Sequence, residues 1–186
     1  MIISLTGKNA AGKGEIAKHL QSKGFVYFSL SDALRDEATK RKIGHSRDNL
    51  INLGNDLRRK FGNGILAQRI NEKIKEEQNN GKIDFVIDSI RNPGEIQELR
   101  KNEGFLFVGV VTDEKTRFQR LLKRGRIGDA TTFEQFKEQE QRENNNEESG
   151  QQLDKCLSMA DKHISSNGTI EEANKEFDEW FKALKS

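Results

Sequence analysis

The sequence predicts an α/β fold, a parallel sheet covered by helices on both faces. Short β-branched and aromatic runs alternate with stretches of helical periodicity along the chain, the pattern that strand–helix–strand crossovers produce. A glycine-rich turn, Gly7-Lys8-Asn9-Ala10-Ala11-Gly12-Lys13-Gly14, stands between the first run and the first helix. The length of 186 residues suits one domain of ordinary size, and folding at that length buries roughly 70% of the surface of the unfolded chain.

Four runs read as buried strands, Ile2–Thr6, 25–29, 83–88 and 105–112, each too short for a helix and rich in Ile, Val and Phe. A weaker fifth covers Lys162–Ser165. The first helix is predicted over 15–23, with Ile16 and Leu20 on one face. Helical patterns over 31–41, 46–60 and 65–77 form a long insertion between the second and third strands. Asn92-Pro93-Gly94-Glu95 starts another helix, with Asn as the N-cap, proline at the first position and glutamate at the third. Thr169-Ile170-Glu171-Glu172 is a second capping box; it opens the last helix, whose stripe of Ile170, Ala173, Phe177, Phe181 and Leu184 is expected to dock on the sheet. The charged stretch 126–150 is expected to add little to the core, as a mobile excursion or as a solvated surface helix.

Composition narrows the function. Lys and Arg number 32 against 30 Asp and Glu, a net charge of +2, without the clustered basic excess of a dedicated nucleic-acid binder. The single cysteine, Cys156, excludes an intramolecular disulfide and a multi-cysteine zinc site. Between Leu153 and Leu157 it reads as a partly buried thiol. His19, His45 and His163 lack metal-ligand spacing, and the His-x-Glu with Pro-Cys-x-x-Cys pattern of the zinc deaminases does not occur. The first residues carry no basic region of the kind that opens a signal peptide. The longest apolar run, Phe105–Val111, falls far short of the ~20 residues of a membrane helix. The expectation is a cytoplasmic protein with no membrane or nucleic-acid partner, monomeric or homodimeric.

The glycine-rich turn carries the chemistry. Gly7 to Lys13 fits G-x-x-x-x-G-K, the P-loop pattern, in its confirming context between a strand and a helix. Successive backbone N–H groups at a helix N-terminus make a nest for phosphate, and Lys13 adds a point charge for the β/γ oxygens. The candidate ATP-binding residues are Gly7, Asn9, Ala10, Ala11, Gly12, Lys13, Gly14 and Glu15. The usual Ser/Thr after the lysine is Gly14 here, so Mg²⁺ would be held mostly through waters. Glu15 has no assigned role beyond favouring the helix N-terminus. Asp88 closes the third strand beside the loop, where the hydration shell of the ion must be fixed. Asp32 and Arg35, three residues apart at a helix start, can both face the same crevice.

Taken in order, the P-loop, Ser31-Asp32-Ala33-Leu34-Arg35, Asp88-Ser89-Ile90-Arg91, Arg120 with Arg124-Gly125-Arg126, and Ala160-Asp161 with Asn167-Gly168-Thr169 resemble the nucleoside monophosphate kinase superfamily. Within it, the chain is most similar to the dephospho-CoA-kinase-like and adenylate-kinase-like proteins of archaea. The resemblance covers nearly the whole chain. It implies a three-layer P-loop NTPase fold with a five-stranded parallel sheet, an acceptor-binding helical insertion at about 31–78 and a lid at about 125–150. It implies ATP and Mg²⁺ as cofactors and a small-molecule nucleotide as acceptor. By the same resemblance Arg35 and Arg91 clamp the acceptor phosphate, and Arg120 and Arg124 meet the adenine and the terminal phosphate. Asn167 and Gly168 border the adenine, and Arg126 and Arg142 flank the lid to neutralise the transferring phosphoryl group. Arg117 could take the place of Arg120 by a small shift in register. Asp32 either orders magnesium waters, if the acceptor is a phosphate, or serves as the base, if it is a hydroxyl as in dephospho-CoA. A nucleoside or deoxynucleoside monophosphate is the leading acceptor and dephospho-CoA the alternative. The missing hydroxyl at Gly14 leaves a further alternative from another class, a nucleotide-binding regulator or slow ATPase acting through a protein partner.

Overall fold

Successive residues of a strand point to opposite faces of a sheet, and the strands here are apolar on both. The computed structural model describes residues 1–125, 128–144 and 147–184. In β1 (Ile2–Thr6), Ile2 joins one core while Ile3 and Leu5 join the other. The edge strand β2 (Val26–Ser29) begins one residue later than expected. In β3 (Phe85–Ile90), Phe85 and Ile87 face the first core and Val86 the second. In β4 (Phe105–Val111), Phe107 faces the first, and Val108 and Val110 the second. With β5 (Lys162–Ser165) the order is β2-β3-β1-β4-β5, every neighbouring pair parallel. Strand order reverses at β1, so the crevice beyond its carboxyl end is where such a sheet binds ligands.

The helices are α1 (Lys13–Ser22), α2 (Leu30–Lys40), α3 (Arg47–Phe61), α4 (Ile65–Asn79), α5 (Pro93–Leu99), α6 (Glu114–Arg124), α7 (Phe133–Glu143), α8 (Leu153–Ser158) and α9 (Ile170–Ala183). Ile16, Ala17 and Leu20 of α1 and Ala173, Phe177 and Phe181 of α9 cover one face of the sheet. On the other face lie Leu53 and Leu57 of α3, Leu66 and Ile70 of α4, Ile96 and Leu99 of α5, and Cys156 of α8. Both predicted capping boxes form, at Asn92–Glu95 and at Thr169–Glu172. Among the described residues no helix is long and apolar enough to cross a membrane.

One expectation is corrected. Asp88 does not end its strand: β3 runs on to Ile90, and its register with β1 shifts between Ser4 and Thr6. Ser89 in this stretch has φ 68°. A bulge of this kind bends a strand and re-aims its side chains. The described residues of the stretch 126–150 add nothing to either core of the sheet, as expected, and pack instead on α6. Phe136 of α7 is buried with Leu121 and Ala130, and Phe118 and Phe133 pack against them. Phe118 meets Phe133 edge-on at 5.4 Å, so the segment carries a small core of its own.

Candidate active site

The loop after β1 is shaped for close approach. Gly7 (φ 149°) and Gly12 (φ 98°) take backbone angles that side chains disfavour. A Cβ at Gly7 would collide with the Val110 carbonyl oxygen, and one at Gly12 would lie 2.5 Å from Ser166 Oγ. Ala10 is also left-handed, at φ 60°, a strain of about 1–3 kcal/mol that the surroundings must hold. They do so on several sides. The Thr112 hydroxyl donates to the Ala11 carbonyl at 2.9 Å, Arg124 Nη1 donates to Asn9 Oδ1 at 3.3 Å, and Ala10 packs against the Phe136 cluster.

Lys13 opens α1, and its Nζ donates to the carbonyl oxygens of Gly7 at 2.8 Å and Lys8 at 3.0 Å. An ammonium has three N–H donors, so one is left, among the described partners, for an anion. Burial lowers its pKa from 10.5 to about 8; nearby Asp88 opposes the fall, and Arg91, Arg117 and Arg124 add to it. Asp88 is 8% exposed, and its carboxylate accepts the Ser89 N–H at 2.5 Å. Beside it, burial first and Asp88 second hold the Tyr27 hydroxyl above its ordinary pKa, while a hydrogen bond with Ser29 opposes them. Tyr27 and Ser29 thus bring hydroxyls to the cavity that Asp88 lines with the loop, which has none at Gly14.

Two cavities meet here. The larger, about 610 Å³ against about 220 Å³ for the smaller, is lined by the loop from Asn9 to Glu15 and by Asp88, Asp32, Arg120, Ser166 and Ile170. The smaller lies between α2 and α3 and reaches Gly128, Asp129 and Glu143. Asn9, Ser31, Arg35, Ser89, Arg91 and Arg124 line both. Arg35 pairs with Asp32 at 2.6 Å, a contact open to solvent on both sides. Arg91 Nη1 donates to Gln151 Oε1 at 2.8 Å and lies 4.0 Å from Glu143. Glu15 pairs with Lys18 at 3.0 Å at the rim.

The remaining expected residues divide. Arg120 donates to Ser166 Oγ at 3.2 Å, to the Ser166 carbonyl at 2.6 Å and to the Gly168 carbonyl at 3.5 Å, which ties α6 to the loop before α9. Asn167 Oδ1 accepts the Asp113 N–H at 2.8 Å. Arg124 grips Asp129 with Nε at 3.0 Å and Nη2 at 2.7 Å. Arg117, unlike Arg120, lines neither cavity. It is 4% exposed, donates to the Thr112 carbonyl and to Glu140, and stacks 5.2 Å from the Phe136 ring, bolting α7 to α6. Arg142 is exposed on α7 and lines neither cavity. Arg126 lies outside the described residues.

Several site residues escaped the sequence reading. Arg47 of α3 donates to Glu143 and, at 3.2 Å, to Gln139, so the insertion grips α7 across the smaller cavity. Glu95, read only as a helix cap, is wholly buried. Its Oε1 accepts Arg58 Nη2 at 2.8 Å, and its Oε2 accepts the N–H of Arg91 at 2.8 Å and of Asn92 at 3.0 Å. Asn92 in turn donates to the carbonyls of Glu148 and Gly150 at 2.9 and 2.8 Å. This hub holds the backbone that carries Arg91. Gly54, in the middle of α3, was the one available signal of the smaller cavity, as a glycine inside an otherwise regular helical pattern.

Comparison with known proteins agrees with this architecture. A sequence profile of an AAA-domain family matches residues 3–149. A UPF0200 protein of Pyrococcus horikoshii is 34% identical over 175 residues, 92% of this chain and 91% of that one. A UPF0200 protein of Sulfurisphaera tokodaii is 32% identical over 183 residues, 98% and 97% of the two. Among solved structures, shikimate kinase from Aquifex aeolicus has TM-score 0.52 at 14% identity, covering 100% of this chain and 98% of that one. A gluconokinase from Sinorhizobium meliloti has TM-score 0.53 at 13% identity, covering 98% and 94%. At such identities the likeness is one of fold, a parallel α/β P-loop kinase fold. With its strand order, its phosphate loop and relatives of this similarity over nearly their whole length, the chain belongs to the AAA-domain family and to the UPF0200 proteins found in archaea.

Proposed function

We propose that this protein is an ATP-dependent phosphotransferase that moves the γ-phosphoryl group to a small nucleotide, a nucleoside or deoxynucleoside monophosphate. The observation that supports this most is the wall shared by the two cavities: Arg35, Arg91 and Arg124 stand where a donor on the loop and an acceptor between α2 and α3 would meet. Arginine suits this task because its planar fork holds phosphate oxygens in pairs.

In this reading the loop amides and Lys13 hold the donor phosphates, and Arg120 with Asn167 and Gly168 borders the adenine. Arg35 and Arg91 hold the acceptor phosphate, whose oxygen is already ionised at neutral pH and needs no base. Asp32 steadies Arg35 through their 2.6 Å pair. The new bond joins an acceptor oxygen to the γ-phosphorus as the bond to the β–γ bridging oxygen breaks, and ADP leaves. The chemistry that Mg²⁺ would supply here is neutralisation of the charge on the phosphates. Asp88, with the hydroxyls of Ser29 and Tyr27 beside it, would hold the waters of that ion, since such oxygen donors fit a hydrated hard cation. The segment 125–150 acts as the lid, with α7 excluding water while Arg124 reaches the transferring group.

The test is ADP formation from Mg·ATP against each common nucleoside and deoxynucleoside monophosphate, dephospho-CoA and no acceptor, with Lys13→Ala as control. Turnover that needs a monophosphate and vanishes in Lys13→Ala is the expected result. Turnover with dephospho-CoA alone would make Asp32 the base. Slow ADP release indifferent to any acceptor would sink the phosphotransferase reading and favour a nucleotide-binding regulator.

A further inference from the structure

The smaller cavity has a floor that the phosphate-binding arginines do not explain. Gly54 is buried in the interior of α3 and lines that cavity. Glycine in a helix interior is less favourable than alanine, so a packing demand or a ligand must favour it. Packing makes that demand elsewhere: at Gly94 of α5 a Cβ would collide with Asn63. At Gly54 it does not. A Cβ there would lie 3.4 Å from Arg58 Nη1 and 3.5 Å from Leu34 Cδ2, ordinary van der Waals contact. Arg58 and Leu34 themselves line the cavity, so the space a side chain at 54 would fill belongs to the cavity. Leu50 and Ile51 continue this wall as an apolar surface, whereas Arg35 and Arg91 stand at the mouth shared with the larger cavity.

We propose that Gly54 is the seat of the acceptor's ring. The bare backbone of α3 lets a flat, uncharged ring lie between Leu34 and the Leu50–Ile51 wall, with its phosphate turned towards Arg35 and Arg91. A Cβ at 54 takes that space and makes Gly54 a specificity-determining residue for ring-bearing phosphate esters. The inference rests on the phosphotransferase reading above.

The experiment compares Gly54→Ala with the wild type in acceptor and ATP saturation kinetics, and in thermal unfolding with and without each monophosphate of the panel. Unliganded Gly54→Ala is expected to unfold about 2–4 °C higher. Its acceptor KM rises about tenfold or more, kcat falls by less than that, and the ATP KM holds. An unchanged acceptor KM in Gly54→Ala overturns the seat and leaves phosphotransfer standing. A lower unfolding temperature also overturns it, because glycine would then be a packing requirement. If the wild type shows no acceptor-dependent turnover, the phosphotransferase reading fails separately, and the thermal shifts decide the seat. A monophosphate that raises the unfolding temperature of the wild type but not of Gly54→Ala upholds it; equal shifts, or none, overturn it.

Discussion

An ammonium enclosed by the loop it serves, as Lys13 is, loses hydration, and its pKa settles at about 8 in the folded chain against 10.5 ordinarily. Below about pH 8 folded and unfolded chains both carry this proton; between there and 10.5 only the unfolded chain does. Stability contributed by this group therefore rises with pH across that window. Urea unfolding of the wild type should show the rise, and Lys13→Met should lack it. A bound triphosphate draws the proton back, so ATP affinity should fall as pH climbs through about 8. Calorimetry in buffers of different ionisation enthalpy should show proton uptake on binding there. Lys13→Ala should cut turnover by about 10²–10³-fold. Glu95 tests a different kind of residue. It was legible as the third residue of a capping box, but its buried partner Arg58 lies 37 residues away on another helix, and no local pattern reveals such a pair. Glu95→Gln leaves that buried guanidinium without its counter-charge and should cost about 3–5 kcal/mol in urea unfolding. Acceptor KM should rise with it, because the Arg91 backbone loses its anchor.

At the scale of elements, α7 behaves as an attachment with its own fastenings. Phe136, buried with Leu121 and Ala130, and the Arg117–Glu140 pair join it to α6, and the Arg47–Glu143 pair joins it to α3. Phe136→Ala should release α7 locally while the sheet stays folded. Hydrogen exchange should speed up in 133–143, the main unfolding transition should move little, and ATP and acceptor KM should both rise. The same truncation at Phe177, in the core under the sheet, should cost about 3–5 kcal/mol globally. This contrast was only partly legible. Thr132 and Gln135 do form a capping box ahead of α7, but a run of amides and acids dominates the local composition, and only Phe133 and Phe136 mark an apolar face. The strands and the capped helices were legible because period, length and cap agree on them. The bulge at Asp88–Ser89 was not, since it arises from register against β1 rather than from the residues of β3 alone.

Over the whole molecule, the sheet sets what is protected. Cys156 sits fully buried against the first core, and that burial pushes its thiol well above the ordinary range. A thiol reagent should label it at least about 10³-fold more slowly in native buffer than in urea, and the labelling rate should track global opening. Rapid labelling of the native protein would mean that α8 opens by itself. The strand order was legible as a class, through alternation of strands with helices, while the position of β1 in the middle followed from the ligand-binding crevice only once the pairings were seen. That position carries a consequence for the making of the protein. The phosphate loop leaves the ribosome well before the strands that flank it, and β1 has no neighbours until Phe85 and Phe105 and the strands they begin have been synthesised. Cellular nucleotide can protect the finished protein by binding it, but it has no site to bind on the nascent chain until β4 is out. Until then the apolar segment Ile2–Thr6 is an unpaired strand that its own ligand cannot protect.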